Sequence, residues 1–187
     1  MISLSLIKYI LLSAVRDKII ISILLIVVLC LSLAIFLGSA TLVEKEQSVT
    51  VYAAGGVRIA GIIGLILYIV FYLRRAFESR DVDFLLSRPI SRLSFILSHA
   101  AAFILIASIF AGLCIFAVFP FAGFISGNSF MLWSVSLLME FLIMACASMF
   151  FAMVISSAAS AAIVTLAFYV LARLIGQLIN IVSSYKV

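Results

Sequence analysis

Charged residues are scarce in this 187-residue sequence: they make up 10% of it, against 67% hydrophobic residues. Soluble domains hold about 25% charged and roughly 45–50% apolar residues, so a soluble globular protein is excluded. Intrinsic disorder is excluded as well, because disordered chains lack the apolar residues that dominate here. Catalytic motifs are missing too. There is no GxxxxGK[ST] phosphate loop with which to hydrolyse ATP, and no GxSxG, HExxH or paired-carboxylate pattern. Cys30, Cys114 and Cys146 each sit inside an apolar run. Without a CxxC or Cys/His cluster they read as small hydrophobes, not as zinc or haem ligands, and no disulfide is expected. The one histidine, His99, has no acidic or cysteine neighbour and reads as an interior residue. The chain is therefore expected to be no enzyme and to hold no cofactor or metal of its own.

The charge that is present is mostly basic, with a net value of +5. Five of the twelve Lys/Arg lie between Arg74 and Arg92, and three more between Lys8 and Lys18. Such clusters mark the cytoplasmic side of a membrane protein. No basic groove interleaved with aromatics accompanies them, so nucleic acid is not an expected partner.

A bilayer core about 30 Å thick requires ~20 apolar residues as helix. Five runs meet that test: Ile19–Leu37, Val57–Leu73, Leu93–Phe119, Phe130–Ile155 and Ala161–Val182. Backbone polar groups in lipid must be satisfied internally, and the runs lack the alternation of a barrel strand, so they are predicted helices. The small residues near Gly38 resemble a signal-peptide cleavage site, but the run before them is too long and four more follow. Before the first span, Ser5, Lys8, Tyr9, Ser13 and Arg16 share one side of a helical wheel. That pattern predicts an interfacial helix over residues 3–16, with a plain extension of the first span as the alternative. The stretch 38–56 reads as a loop, and Gly55, Gly56 and Gly61 as flexible ends. The fold class expected is all-α: one domain over residues 1–187, a polytopic membrane helix bundle of about five transmembrane helices. With basic segments inside, the N-terminus is cytoplasmic and the uncharged 120–129 loop lies outside.

The stretch from Arg74 to Arg92 is the one substantial charged segment. Arg74 with Glu78, and Arg80 with Asp83, stand at helical pairing distances. Phe77, Phe84 and Leu85 share a face. Pro89 disfavours helix at Arg88, and Ser91 can cap the next helix. A short amphipathic cytoplasmic helix follows. From the residues alone, its arginines either hold lipid phosphates or dock a soluble partner.

Glu78, followed by Leu85-Leu86-Ser87-Arg88-Pro89-Ile90-Ser91-Arg92 opening a long apolar helix, resembles the first cytoplasmic loop of ABC-2-type transporter permeases. The likeness is to those permeases found with copper-enzyme maturation operons. The N-terminal helix and Arg16-Asp17-Lys18 fit the same pattern. Members of that family usually carry six spans, where five are counted here, and usually run longer. The resemblance implies a permease subunit of an ATP-binding-cassette exporter in a prokaryotic cytoplasmic (inner) membrane. It implies a coupling helix over 74–92, in which Glu78, Arg80, Asp81, Leu85, Leu86, Arg88, Pro89 and Arg92 seat in a separate ATPase subunit. ATP and Mg would sit on that ATPase, and a second permease copy, as homo- or heterodimer, would complete the membrane part. The alternatives are a non-transporting anchor that holds a soluble partner through the same loop and, less favoured, an intramembrane enzyme.

Two further charges lie inside apolar runs, Glu140 in the fourth and Arg173 in the fifth. An ionised side chain in lipid costs several kcal/mol unless it is paired, so the two are predicted to face the bundle interior and to pair if their depths match. The Ser156–Ala161 patch reads as a close helix approach. With so few polar side chains, the bundle suits a lipid-like or peptide cargo better than an ion.

Overall fold

A computed structural model describes residues 4–16, 19–40, 45–78, 92–124 and 127–184. Backbone N–H and C=O groups that leave water must pair within their own segment, and among the described residues the chain meets this demand with helices and no strand. The helices are α1 (Leu4–Arg16), α2 (Ile19–Ser39), α3 (Lys45–Glu78), α4 (Arg92–Val118), α5 (Gly127–Val154) and α6 (Ala158–Ser184). A 3-10 turn, Phe119–Phe124, closes α4 around Pro120. Among the described residues four helical stretches are long and apolar enough to cross a membrane: Gln47–Phe77, Leu93–Phe121, Gly127–Val154 and Ala158–Ile179. Helix α2 is apolar along its 21 residues as well. The chain is thus a polytopic helical membrane bundle.

Helix α3 is the central element and packs against α2, α4, α5 and α6. Val57, Ile62, Leu65, Ile66, Ile69, Val70 and Leu73 are fully buried along it. Opposite them, α4 buries Phe103, Ile106, Phe110 and Cys114, which recur on one helical face, and α5 buries Leu137, Phe141 and Met144. Hydroxyl groups inside the helices are largely satisfied locally. Ser108, Ser134, Ser148 and Thr165 each donate to the carbonyl four residues back, at 2.6–2.8 Å, which removes their need for a tertiary partner.

Several expectations change. The stretch 38–56 is not a loop throughout, because α3 begins at Lys45, well before Val57. The polar start Lys45-Glu46-Gln47-Ser48 conceals a packed helix. Thr50 is buried and donates to the Phe121 carbonyl at 3.0 Å, pinning the first turns of α3 to the 3-10 turn. At Gly38 helices α2 and α3 approach so closely that a Cβ would collide with the Val49 side chain. Thr50→Val keeps the shape and removes the donor. It is expected to lower stability by about 1 kcal/mol in thermal unfolding of the detergent-solubilised protein, and an unchanged midpoint would show that the bond contributes nothing net.

Gly61 is no flexible end either: it lies inside α3 where α4 and α5 press closest. The N-terminal helix is amphipathic as expected, with Lys8, Tyr9, Leu12 and Arg16 exposed. Its apolar side, through Ile10 and Ala14, belongs to the protein core, and α1 packs on α4. The break at Ile155–Ser157 separates α5 from α6, and Ala161 and Ala162 are buried, as a close helix approach requires.

Candidate functional site

Three charged side chains meet far from the ends of three helices. Arg58 comes from α3, Glu140 from α5 and Arg173 from α6. Arg58 donates through Nε to Oε2 of Glu140, and through Nη2 to Oγ of Ser136 at 2.8 Å. Arg173 donates through Nη1 to the other carboxylate oxygen, Oε1, at 3.4 Å. The carboxylate is thus held between two guanidinium groups, one on each oxygen. The Arg58 and Glu140 side chains are only 11% and 17% exposed, whereas Arg173 is 45% exposed.

Helical spacing explains the convergence. Ser136 and Glu140 stand four apart on α5, so both face α3. On α6, Thr165, Tyr169, Arg173 and Gln177 repeat every four residues and form a polar stripe along an otherwise apolar helix. Thr165 and Tyr169 are buried at the start of that stripe, and Arg173 and Gln177 are exposed farther along. A cavity of about 490 Å³ separates the elements. Arg58, Glu140, Tyr169 and Arg173 line its polar side, and Met139, Ile143 and Phe168 its apolar side. It opens at the surface of the bundle, since those three apolar side chains are all exposed. The Tyr169 hydroxyl is buried near Glu140 and makes no fully formed hydrogen bond among the described residues.

The predicted pairing of Glu140 with Arg173 is therefore present, and their depths match. Sequence reasoning missed Arg58, which also pairs with Glu140 and is the less exposed of the two arginines. A signal was available: Arg58 is the only charged residue between Glu46 and Arg74. It was obscured because the span was taken to start at Val57, which places Arg58 at a membrane boundary. The true start of α3 at Lys45 moves it to the interior. Tyr169 and Gln177 were legible too, as the residues four before and four after Arg173.

His99 is an interior residue. It is buried, its Nδ1 lies 3.0 Å from the Phe95 carbonyl, and its ring sits 4.1 Å from that of Phe95. The three cysteines are free thiols. Of the expected coupling residues, Glu78 ends α3 and Arg92 begins α4. Arg80, Asp81, Leu85, Leu86, Arg88 and Pro89 lie outside the described residues.

Fold and site together define an integral membrane protein of the polytopic helical class, with a three-membered ion-pair cluster in its interior. The chain matches no family model, no curated protein and no solved structure.

Proposed function

We propose that this chain is the membrane-spanning permease subunit of an ATP-binding-cassette transporter, working as an exporter. The observation that carries the reading is the Arg58–Glu140–Arg173 cluster beside an open cavity within the bundle. Ionisable groups at such a depth are costly and are found where a membrane protein handles a substrate. A passive anchor has no use for them. The resemblance of Glu78 and Leu85–Arg92 to the coupling segment of ABC-2 permeases adds the energy source. That segment joins the ends of α3 and α4, two of the most buried helices, which pack on each other. Force applied there would reach the core directly.

In this reading ATP and Mg bind a separate ATPase subunit that docks on the 74–92 segment. A second permease copy, identical or related, completes the pathway. The protein sits in a prokaryotic cytoplasmic membrane with its N-terminus inside. Closure of the ATPases moves the coupling segment, and α3 carries the motion to Arg58.

Co-purification from mild detergent tests the proposal. An ATPase is expected in stoichiometric amount with the wild type, and about tenfold less with Glu78→Ala or Arg88→Ala, while both variants keep the helical content and elution volume of the wild type. Recovery of no ATPase would replace the permease reading by that of an anchoring protein. Undiminished recovery with both variants would refute the coupling assignment.

A further inference from the structure

Guanidinium groups stay protonated at any pH a protein experiences. Arg58, Glu140 and Arg173 in contact therefore carry one positive charge in excess. Among the described residues no other acidic side chain stands beside the cluster to cancel it. Of the other acidic residues among them, Glu46 and Glu78 lie at the two ends of α3. A second copy cannot cancel the charge either, because it brings the same excess. The surplus belongs to Arg173. Arg58 is enclosed and bonded to both Glu140 and Ser136, while Arg173 makes one 3.4 Å bond and remains 45% exposed in the cavity. Beside it the buried Tyr169 hydroxyl lies close to Glu140 without a fully formed hydrogen bond among the described residues, so it can turn to an incoming acceptor. Ser136 and Gln177 also line the polar side, and the apolar remainder of the wall continues to the outer surface of the bundle.

We propose that this cavity binds an amphiphile bearing one anionic head group, a carboxylate or a phosphate, on a hydrocarbon chain. The head group bonds Arg173 and Tyr169, and the chain lies along Met139, Ile143 and Phe168. An anion with a tail fits better than a free one, because the cavity opens where the bundle meets hydrocarbon. As a cargo class this rests on the permease reading; as a binding site it does not, since binding needs no ATPase.

The test uses the full chain in nanodiscs of neutral phosphatidylcholine, with empty discs as the blank. The labelled probes are oleate, lysophosphatidic acid, acetate and inorganic phosphate. Saturable binding at one site per chain is expected for oleate, for lysophosphatidic acid or for both, and these two arms distinguish a carboxylate from a phosphate head group. Acetate and inorganic phosphate should bind at least tenfold more weakly. Arg173→Gln is expected to weaken amphiphile binding by about tenfold or more, since a charge-assisted bond is lost, and Arg173→Lys to retain part of it. Gly176→Phe offers an independent variant. Gly176 lines the cavity and a Cβ there meets nothing within 4 Å, so the backbone accepts a side chain that takes up cavity space, and binding should be lost from a protein that still folds. Absence of saturable binding, equal binding of acetate or phosphate, or binding indifferent to Gly176→Phe would each overturn the proposal. An ATPase recovered without amphiphile binding would remove only the cargo class. Amphiphile binding without an ATPase would remove only the permease reading.

Discussion

Glu140→Leu is expected to lower the stability of the protein by up to about 3 kcal/mol, the lower end of the cost of removing one partner from a buried ion pair, because both side chains are partly buried. The reason is the position of Arg58. Its guanidinium, 11% exposed, is held between α3 and α5 by Glu140 and Ser136. With Glu140 gone, only the Ser136 hydroxyl remains to it among the contacts it now makes. Arg173 is affected less, because it already reaches the open cavity. Unfolding in mixed detergent micelles measures the loss, and a value below about 1 kcal/mol would show that the carboxylate is not the counter-charge. The double substitution Arg58→Met with Glu140→Leu separates charge from packing. Replacing both partners by apolar groups of similar volume is often neutral, so the double variant should recover most of the stability that the single variant loses. Charge removal on both sides would leave Arg173 in the cavity with no counter-ion among the described residues.

Gly61→Leu is the second substitution with a large expected effect, about 3 kcal/mol of destabilisation, at the upper end of the usual cost of overpacking. A Cβ at this position would stand 2.8 Å from Cζ of Phe141 and 3.0 Å from Sγ of Cys114. Both neighbours are fully buried. The Phe141 ring belongs to a dense core and has no free volume into which to retreat. Gly55→Leu on the same helix provides the control. Nothing lies within 4 Å of a Cβ there, and replacing an exposed helical glycine gains up to about 1 kcal/mol of helix propensity. Equal behaviour of the two variants would refute the role of Gly61 as the contact point of α3, α4 and α5. Partial rescue of Gly61→Leu by Phe141→Ala would confirm which neighbour is displaced. Because Phe141 follows Glu140 in sequence, this contact also fixes the height at which Glu140 meets Arg58.

Some of this architecture was legible in the residues and some was not, for identifiable reasons. The helices that cross the membrane follow from apolar length alone, since lipid leaves the backbone no other solution. Their inward faces do not follow. Helices α4 and α5 are apolar all round, so periodicity carries no information about which side packs. Only shape tells Phe103 and Phe110, which are buried, from Phe116, which is exposed. In α1 the polar and apolar sides differ, and there the exposed face was predictable. The first turns of α3 went unrecognised because Lys45, Glu46 and Gln47 look like loop, and the contact that holds them, Thr50 with the Phe121 carbonyl, joins residues far apart in the chain.

The candidate site divides in the same way. Glu140 and Arg173 stand out because each is a lone charge in an apolar run, and lone charges in lipid must pair. Sequence alone thus determined that this is a helical membrane protein, that its charged segment lies between two long spans, and that Glu140 and Arg173 are lone charges within apolar runs. The tertiary structure alone decided that Arg58 joins the pair, that a cavity opens beside it, and that one positive charge is left over. Composition fixes how many charges enter the membrane, but only the packing of α3, α5 and α6 fixes which of them meet, because contact between helices depends on register and depth.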